Sequence, residues 1–187
     1  MRHLIGLAAG LLILAGCDRP DAPADAPAPA PEAPAAGAFS YAATSDLSGY
    51  YMPVSEVRIG KWSFGHIFVG QAFEFEAWKG AETETTFAPV MLHFDDATSP
   101  MVETELGEVR SVTARVLPTR YAVSEDRIEF EGTSPELGAV KFEGRIDPGA
   151  LATSRRNLGD EGVVVTGTLT AGGQTVRDLR LRWWMGD

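Results

Sequence analysis

A single cysteine, Cys17, stands in the 187 residues. No intramolecular disulfide can form, so cross-links cannot hold the fold together. Histidine is nearly as scarce. His3 sits at the extreme N-terminus, and His66 and His93 are the other two. Long apolar runs are missing. Leu4 to Leu14 is broken by Gly6 and Gly10 and falls well short of the roughly 20 residues a membrane-spanning helix needs. Positive charge is in deficit, with a formal net charge of -10. From Phe39 onward, 14 basic residues face 22 acidic ones. Such a domain lacks the basic footprint of a nucleic-acid binder and is repelled by anionic lipid head groups. Convincing helical periodicity over ten or more residues is absent. So are the HExxH, CxxC and EF-hand patterns, the Gly-x-Ser-x-Gly elbow and any glycine-rich loop ending in lysine. The expectation is a protein that is not an enzyme and carries no metal or cofactor.

What is present begins with an address. Arg2 and His3 form a basic start, the short apolar run follows, and Leu14-Ala15-Gly16-Cys17 closes it. A basic start, a short apolar stretch and small residues before a cleavage point are the parts of a secretory signal peptide. Leu14-Ala15-Gly16-Cys17 resembles the lipobox of bacterial lipoproteins. The resemblance implies removal of residues 1–16 and acylation of Cys17, hence a lipid-anchored protein of the cell envelope facing the periplasm. Each buried acyl CH₂ adds roughly 0.8 kcal/mol of membrane affinity, so two or three chains hold the protein without a transmembrane helix. Asp18 resembles the residue that retains enteric lipoproteins in the inner membrane. That sorting rule does not carry to all bacteria, so inner and outer membrane both stay open.

Residues 17–38 read as a tether. After Cys17, six of 21 residues are proline and most of the rest alanine. Proline fixes its own φ and pushes its predecessor out of the helical region, so alternating Ala-Pro favours an extended spacer. At about 3.1 Å per residue it reaches about 60 Å, lifting the domain off the lipid.

Residues 39–187 change character and read as one all-β domain. Short runs of period-two alternation mark half-buried strands. In 61–69, Trp62, Phe64, His66 and Phe68 are expected on one face, with Ile67 and Val69 on the other. In 72–78, Phe73, Phe75 and Ala77 oppose Glu74 and Glu76. Further strands are expected over 87–94, 109–116, 127–131, 139–146, 163–169 and 175–183. Pro135 to Gly138 and Ala171 to Gln174 read as hairpin turns, because glycine permits the positive φ that tight hairpins require. Residues 150–160 could be a loop or one short helical turn. About eight antiparallel strands predict a β-barrel of lipocalin-like kind or a β-sandwich, and closure favours the barrel because it removes exposed edges.

Near the C-terminus, Phe142-Glu-Gly-Arg-Ile-Asp147, Leu151-Ala-Thr-Ser and Val165-Thr-Gly-Thr-Leu-Thr-Ala-Gly-Gly173 resemble the closing part of the YceI-like family. Those proteins are periplasmic, lipocalin-like barrels that bind polyisoprenoid lipids. The likeness covers about the last 50 residues and implies a barrel with an apolar cavity. It carries over no individual binding residue.

Candidate sites follow from side-chain chemistry. Trp62, Phe64, Phe68, Phe73 and Phe75 put five rings on two expected strands, either as core or as the lining of an apolar ligand cavity. Arg180, Arg182 and Trp184 form a stripe on the last strand, either a solvated face or a barrel mouth that meets an anionic head group. His93 and Asp95, with His66, are the residues nearest to a metal-ligand pattern, and read better as a strand end running into a polar turn. Paired acids Glu74 with Glu76, and Glu103 with Glu105, read as solvated strand faces. Cys17 is the lipidation residue. The expected partners are the membrane through its anchor and an apolar ligand; the alternative is an envelope protein partner, with the chain an accessory that binds no small molecule.

Overall fold

The computed structural model describes residues 38–80, 84–105 and 107–186. The expected signal peptide, Cys17 and the tether as far as residue 37 lie outside the described residues. The chain forms strands β1 (Phe39–Tyr41), β2 (Gly49–Pro53), β3 (Arg58–Ile59), β4 (Trp62–Val69), β5 (Val90–Asp96), β6 (Met101–Thr104) and β7 (Gly107–Arg110). It continues through β8 (Thr113–Val116), β9 (Pro118–Ser124), β10 (Arg127–Ser134), β11 (Gly138–Ile146), β12 (Val165–Ala171) and β13 (Gln174–Trp184). Helix α1 (Ala72–Ala77) lies between β4 and β5, and α2 (Pro148–Arg156) between β11 and β12.

The architecture is all-β. Ten strands run in the order β1-β9-β10-β11-β12-β13-β2-β4-β5-β8, with β3 added to β4, and the sheet curls into a half-barrel. All neighbours on the path pair antiparallel except β1 with β9, which is parallel. Leu117 alone separates β8, at one end of the path, from β9, near the other. The chain itself therefore joins the two ends of the sheet. Gly132 makes this approach possible: a Cβ there would stand 2.5 Å from the Leu117 carbonyl oxygen and 2.9 Å from Val116 Cγ1.

The interior is filled by side chains. Tyr51, Phe64, Phe94, Phe130, Phe142, Ile67, Leu92, Ile128, Leu169 and Leu181 are all buried to within 2 %. Phe130 pairs with Phe142 across β10 and β11, and Phe142 with Leu169 across β11 and β12. Two Phe-Glu-Gly triplets repeat the same packing. A Cβ on Gly144 would lie 2.6 Å from the Phe142 ring, and one on Gly132 would lie 2.9 Å from the Phe130 ring. Each phenylalanine thus leans along its strand into the space its glycine leaves. The β10–β11 and β12–β13 hairpins fall where the turn residues placed them, with Gly138 at φ 66° and Gly172 and Gly173 at φ 56° and 72°.

Three local expectations are corrected. Residues 72–77 form a helix, not a strand. Glu74 accepts the Gln71 N–H at 2.7 Å and starts α1, and the helix puts Phe75 and Trp78 one turn apart on one side. Phe75 stacks on Tyr41 at 4.1 Å and Trp78 meets Phe39 edge-on at 4.9 Å. α1 thereby reaches from the end of β4 to β1, at the other end of the sheet. The second correction concerns 109–116, which divides into β7 and β8. Ser111 and Val112 part them, and β6 and β7 form a separate two-stranded hairpin. The third is a bulge in β4 between Phe64 and His66. One extra residue reverses the alternation: Trp62 and Phe64 point inward, Ile67 and Val69 follow them, and His66 and Phe68 turn to the outer face. The open choice over 150–160 resolves as α2, capped by Asp147, whose carboxylate accepts the Ala150 N–H at 2.9 Å.

Candidate functional site

The bulge at Gly65 creates the site. On the outer face of the sheet, β13, β2 and β4 bring Trp184, Tyr50 and Phe68 into one cross-strand row. Trp184 and Phe68 flank Tyr50 at centroid distances of 5.5 Å and 5.4 Å, tilted 45° and 54° from its plane. His66, on the next row, meets Tyr50 edge-on at 5.0 Å. With Met52 and the Glu74 carboxylate these rings line an open groove of about 530 Å³, within the range of small-molecule sites. The backbone of Gly186 runs beside the Tyr50 ring, since a Cβ there would lie 2.9 Å from it.

The electrostatics of the groove are one-sided. Among the described residues Glu74 is its one carboxylate, and no lysine or arginine lines it. His66 is held neutral: burial pushes its pKa down to about 4, the neighbouring His93 and Arg115 push the same way, and Asp95 opposes them. His66 and His93 stack in parallel at 4.9 Å, and His93 Nε2 lies 3.1 Å from Asp95 Oδ1. Among the described residues no group of three His, Cys, Asp or Glu side chains is placed to hold a metal ion.

The residues singled out in the sequence scatter. Phe68 lines the groove. Trp62, Phe64 and Phe75 belong to the buried core, and Phe73 is 61 % exposed on α1. The five rings therefore share no cavity, because the helix and the bulge send them in different directions. Arg180 and Arg182 lie on the outer face of β13 with Trp184. Arg182 is tied to Glu161 at 2.7 Å and lines a neighbouring cleft. Glu103 and Glu105 are exposed on and beside the β6–β7 hairpin. Cys17 lies outside the described residues.

Tyr50 and Met52 are groove residues that strand reading missed; His66 enters that reading on the 61–69 strand and beside His93 and Asp95, not as part of a groove. β2 is five residues long, and its Tyr-Tyr pair shows no alternation. Gly65 inside a strand pattern was the available signal for a bulge, and from it the outward turn of His66 and Phe68.

At the same end, α2 is pinned to the sheet by Arg155. Its guanidinium donates to the Ser48 carbonyl at 3.0 Å, pairs with Asp46 and covers the Trp183 ring at 5.0 Å. Trp183 Nε1 donates to the same carbonyl at 3.0 Å. These contacts fix the ends of β2 and β13, and with them Tyr50 and Trp184. Among the described residues no helix is long and apolar enough to cross a membrane.

No protein-family model, curated protein or solved structure matches this chain.

Proposed function

We propose that this chain is a lipoprotein of the bacterial cell envelope, anchored through Cys17, whose β domain is a non-catalytic binding module working from the outer face of its sheet. The groove of Tyr50, Phe68 and Trp184 carries this reading. Three large rings stand partly exposed side by side on a face where alternation would place polar groups, and such grouped exposure marks binding surfaces. A lipid held inside the barrel, as the YceI-like resemblance implies, would need space that Phe64, Phe94, Phe130 and Phe142 occupy.

Two measurements test the reading. Cys17→Ala in the full chain should abolish labelled-palmitate incorporation; label retained on the variant refutes the anchor. A photo-crosslinking residue at Trp184 in intact cells should yield a specific adduct that the same residue at Lys141 does not. Equal labelling at both positions refutes the outer-face site. Native mass spectrometry releasing one non-covalent lipid per chain would return the ligand to the interior.

The alternative, an accessory of an envelope complex with no small ligand, has its own observation. The β6–β7 hairpin and its flank leave Met101, Val102, Val109 and Val112 each 42–45 % exposed. Deleting 101–110 should then release a crosslinked protein partner while leaving the Trp184 adduct in place.

A further inference from the structure

We infer that the Tyr50–Phe68–Trp184 groove binds a small soluble organic cation of the quaternary-ammonium class, with the methylated nitrogen against the aromatic row. The inference rests on the outer-face reading and names its ligand chemistry.

Three features of the groove converge on this class. First, the rings are not coplanar. Phe68 and Trp184 tilt 54° and 45° from Tyr50 on its two sides, and His66 stands at 82° to it. Rings set at such different angles offer no flat shelf for a sugar ring, and they border an open groove of about 530 Å³ that takes a compact group. The negative faces of aromatic rings attract a cation through their quadrupole, and a methylated ammonium loses little hydration on entering such a groove. Second, the charge lining the groove is of one sign. Glu74 supplies a carboxylate, and no lysine or arginine among the described residues lines the space. Arg182, two residues before Trp184 on the same face, is paired with Glu161. His66 adds no positive charge at neutral pH, being buried beside His93 and Arg115. Third, among the described residues the lining offers an anion no cationic side chain. A phosphate joined to the ammonium, as in a lipid head group, would face Glu74 with no base to receive it. This selects the free cation over the head group. The acidic excess of the domain, 22 against 14 from Phe39 onward, adds a long-range field of the matching sign.

The test uses the full lipidated chain in a maltoside detergent, with radiolabelled choline in equilibrium dialysis. Choline should bind saturably, one per chain. Its uncharged isostere 3,3-dimethylbutanol should need about tenfold higher concentration to displace it. Trp184→Ala should weaken choline binding by about three- to tenfold. Glu74→Gln, which keeps the α1 cap, should weaken choline about threefold and leave the isostere unchanged. Lys141→Ala, on β11, should change nothing. Absence of saturable binding, or equal displacement by the isostere, overturns the inference. Phosphocholine outcompeting choline would make the lipid head group the ligand and overturns it too. A choline failure with the Trp184 crosslink intact sinks the ligand class alone; loss of both sinks the outer-face site.

Discussion

Placing the ligand outside the barrel depends on the interior being full, and Gly144→Ala tests that directly. The new Cβ would stand 2.6 Å from two carbons of the Phe142 ring and 2.9 Å from Val165 Cγ1. Phe142 is fully buried, between Phe130 on one strand and Leu169 on the other, and cannot swing away. Overpacking of this kind costs about 1–3 kcal/mol. Phe142→Ala alone removes a buried ring and costs about 3–5 kcal/mol. In that background the two closest contacts of the added methyl group vanish, and what is left is the Val165 side chain, which can shift into the space the ring has vacated. Replacing a strand glycine by alanine then returns about 0.5–1 kcal/mol. Gly144→Ala should therefore destabilise the wild type and be neutral or stabilising in Phe142→Ala. The coupling is about 1.5–3 kcal/mol, or at least tenfold in the unfolding equilibrium. Urea unfolding of the four proteins, followed by tryptophan fluorescence, measures it. Additivity within about 0.5 kcal/mol would refute the reasoning, because it would mean the ring does not fill the Gly144 space. An interior with that slack would again have room for a ligand.

Other expectations concern the site and its supports. Because the folded state holds the His66 pKa down to about 4 from 6.5, the unfolded chain takes up its proton first. Stability should be intact above about pH 6.5 and fall by about 2–3 kcal/mol as pH drops towards 4; urea midpoints of His66→Phe should lack this decline, and parallel pH profiles for the two proteins would refute the assignment. Asp96 and Glu125, held down to about 2 by hydrogen bonds and, for Asp96, by Lys61, lose their contributions only as pH falls from about 4 towards 2, in both proteins alike. Asp147→Ala should cost about 1 kcal/mol through loss of the α2 N-cap, read as a lower urea midpoint with an unchanged slope. Asp178 sits at φ 54° in the β13 bulge; Asp178→Val should cost about 1–2 kcal/mol, since a β-branched residue resists that conformation, whereas Asp178→Gly should not.

Part of this fold is decided by contiguous residues alone. Alternation along 127–131, 139–146 and 175–183, with glycines at the turns between, specified β10, β11 and β13, which face they bury and how the hairpins pair. These are local matters: a period of two, a turn dihedral, a register set by the turn. The lipoprotein proposal also rests on contiguous residues, 1–17. Tertiary structure decided the rest. Ala72 to Ala77 alternates like a strand, yet as a helix it sets Phe75 against Tyr41 and Tyr121. Gly65 carries the bulge because β4 must pair with β5 through Asp96 while Ile67 and Val69 stay in the core. The groove needs Tyr50, Phe68 and Trp184 side by side, and Trp184 stands more than a hundred residues along the chain from the other two. Only curling the sheet until β13 meets β2 makes them neighbours, and no local pattern encodes that meeting.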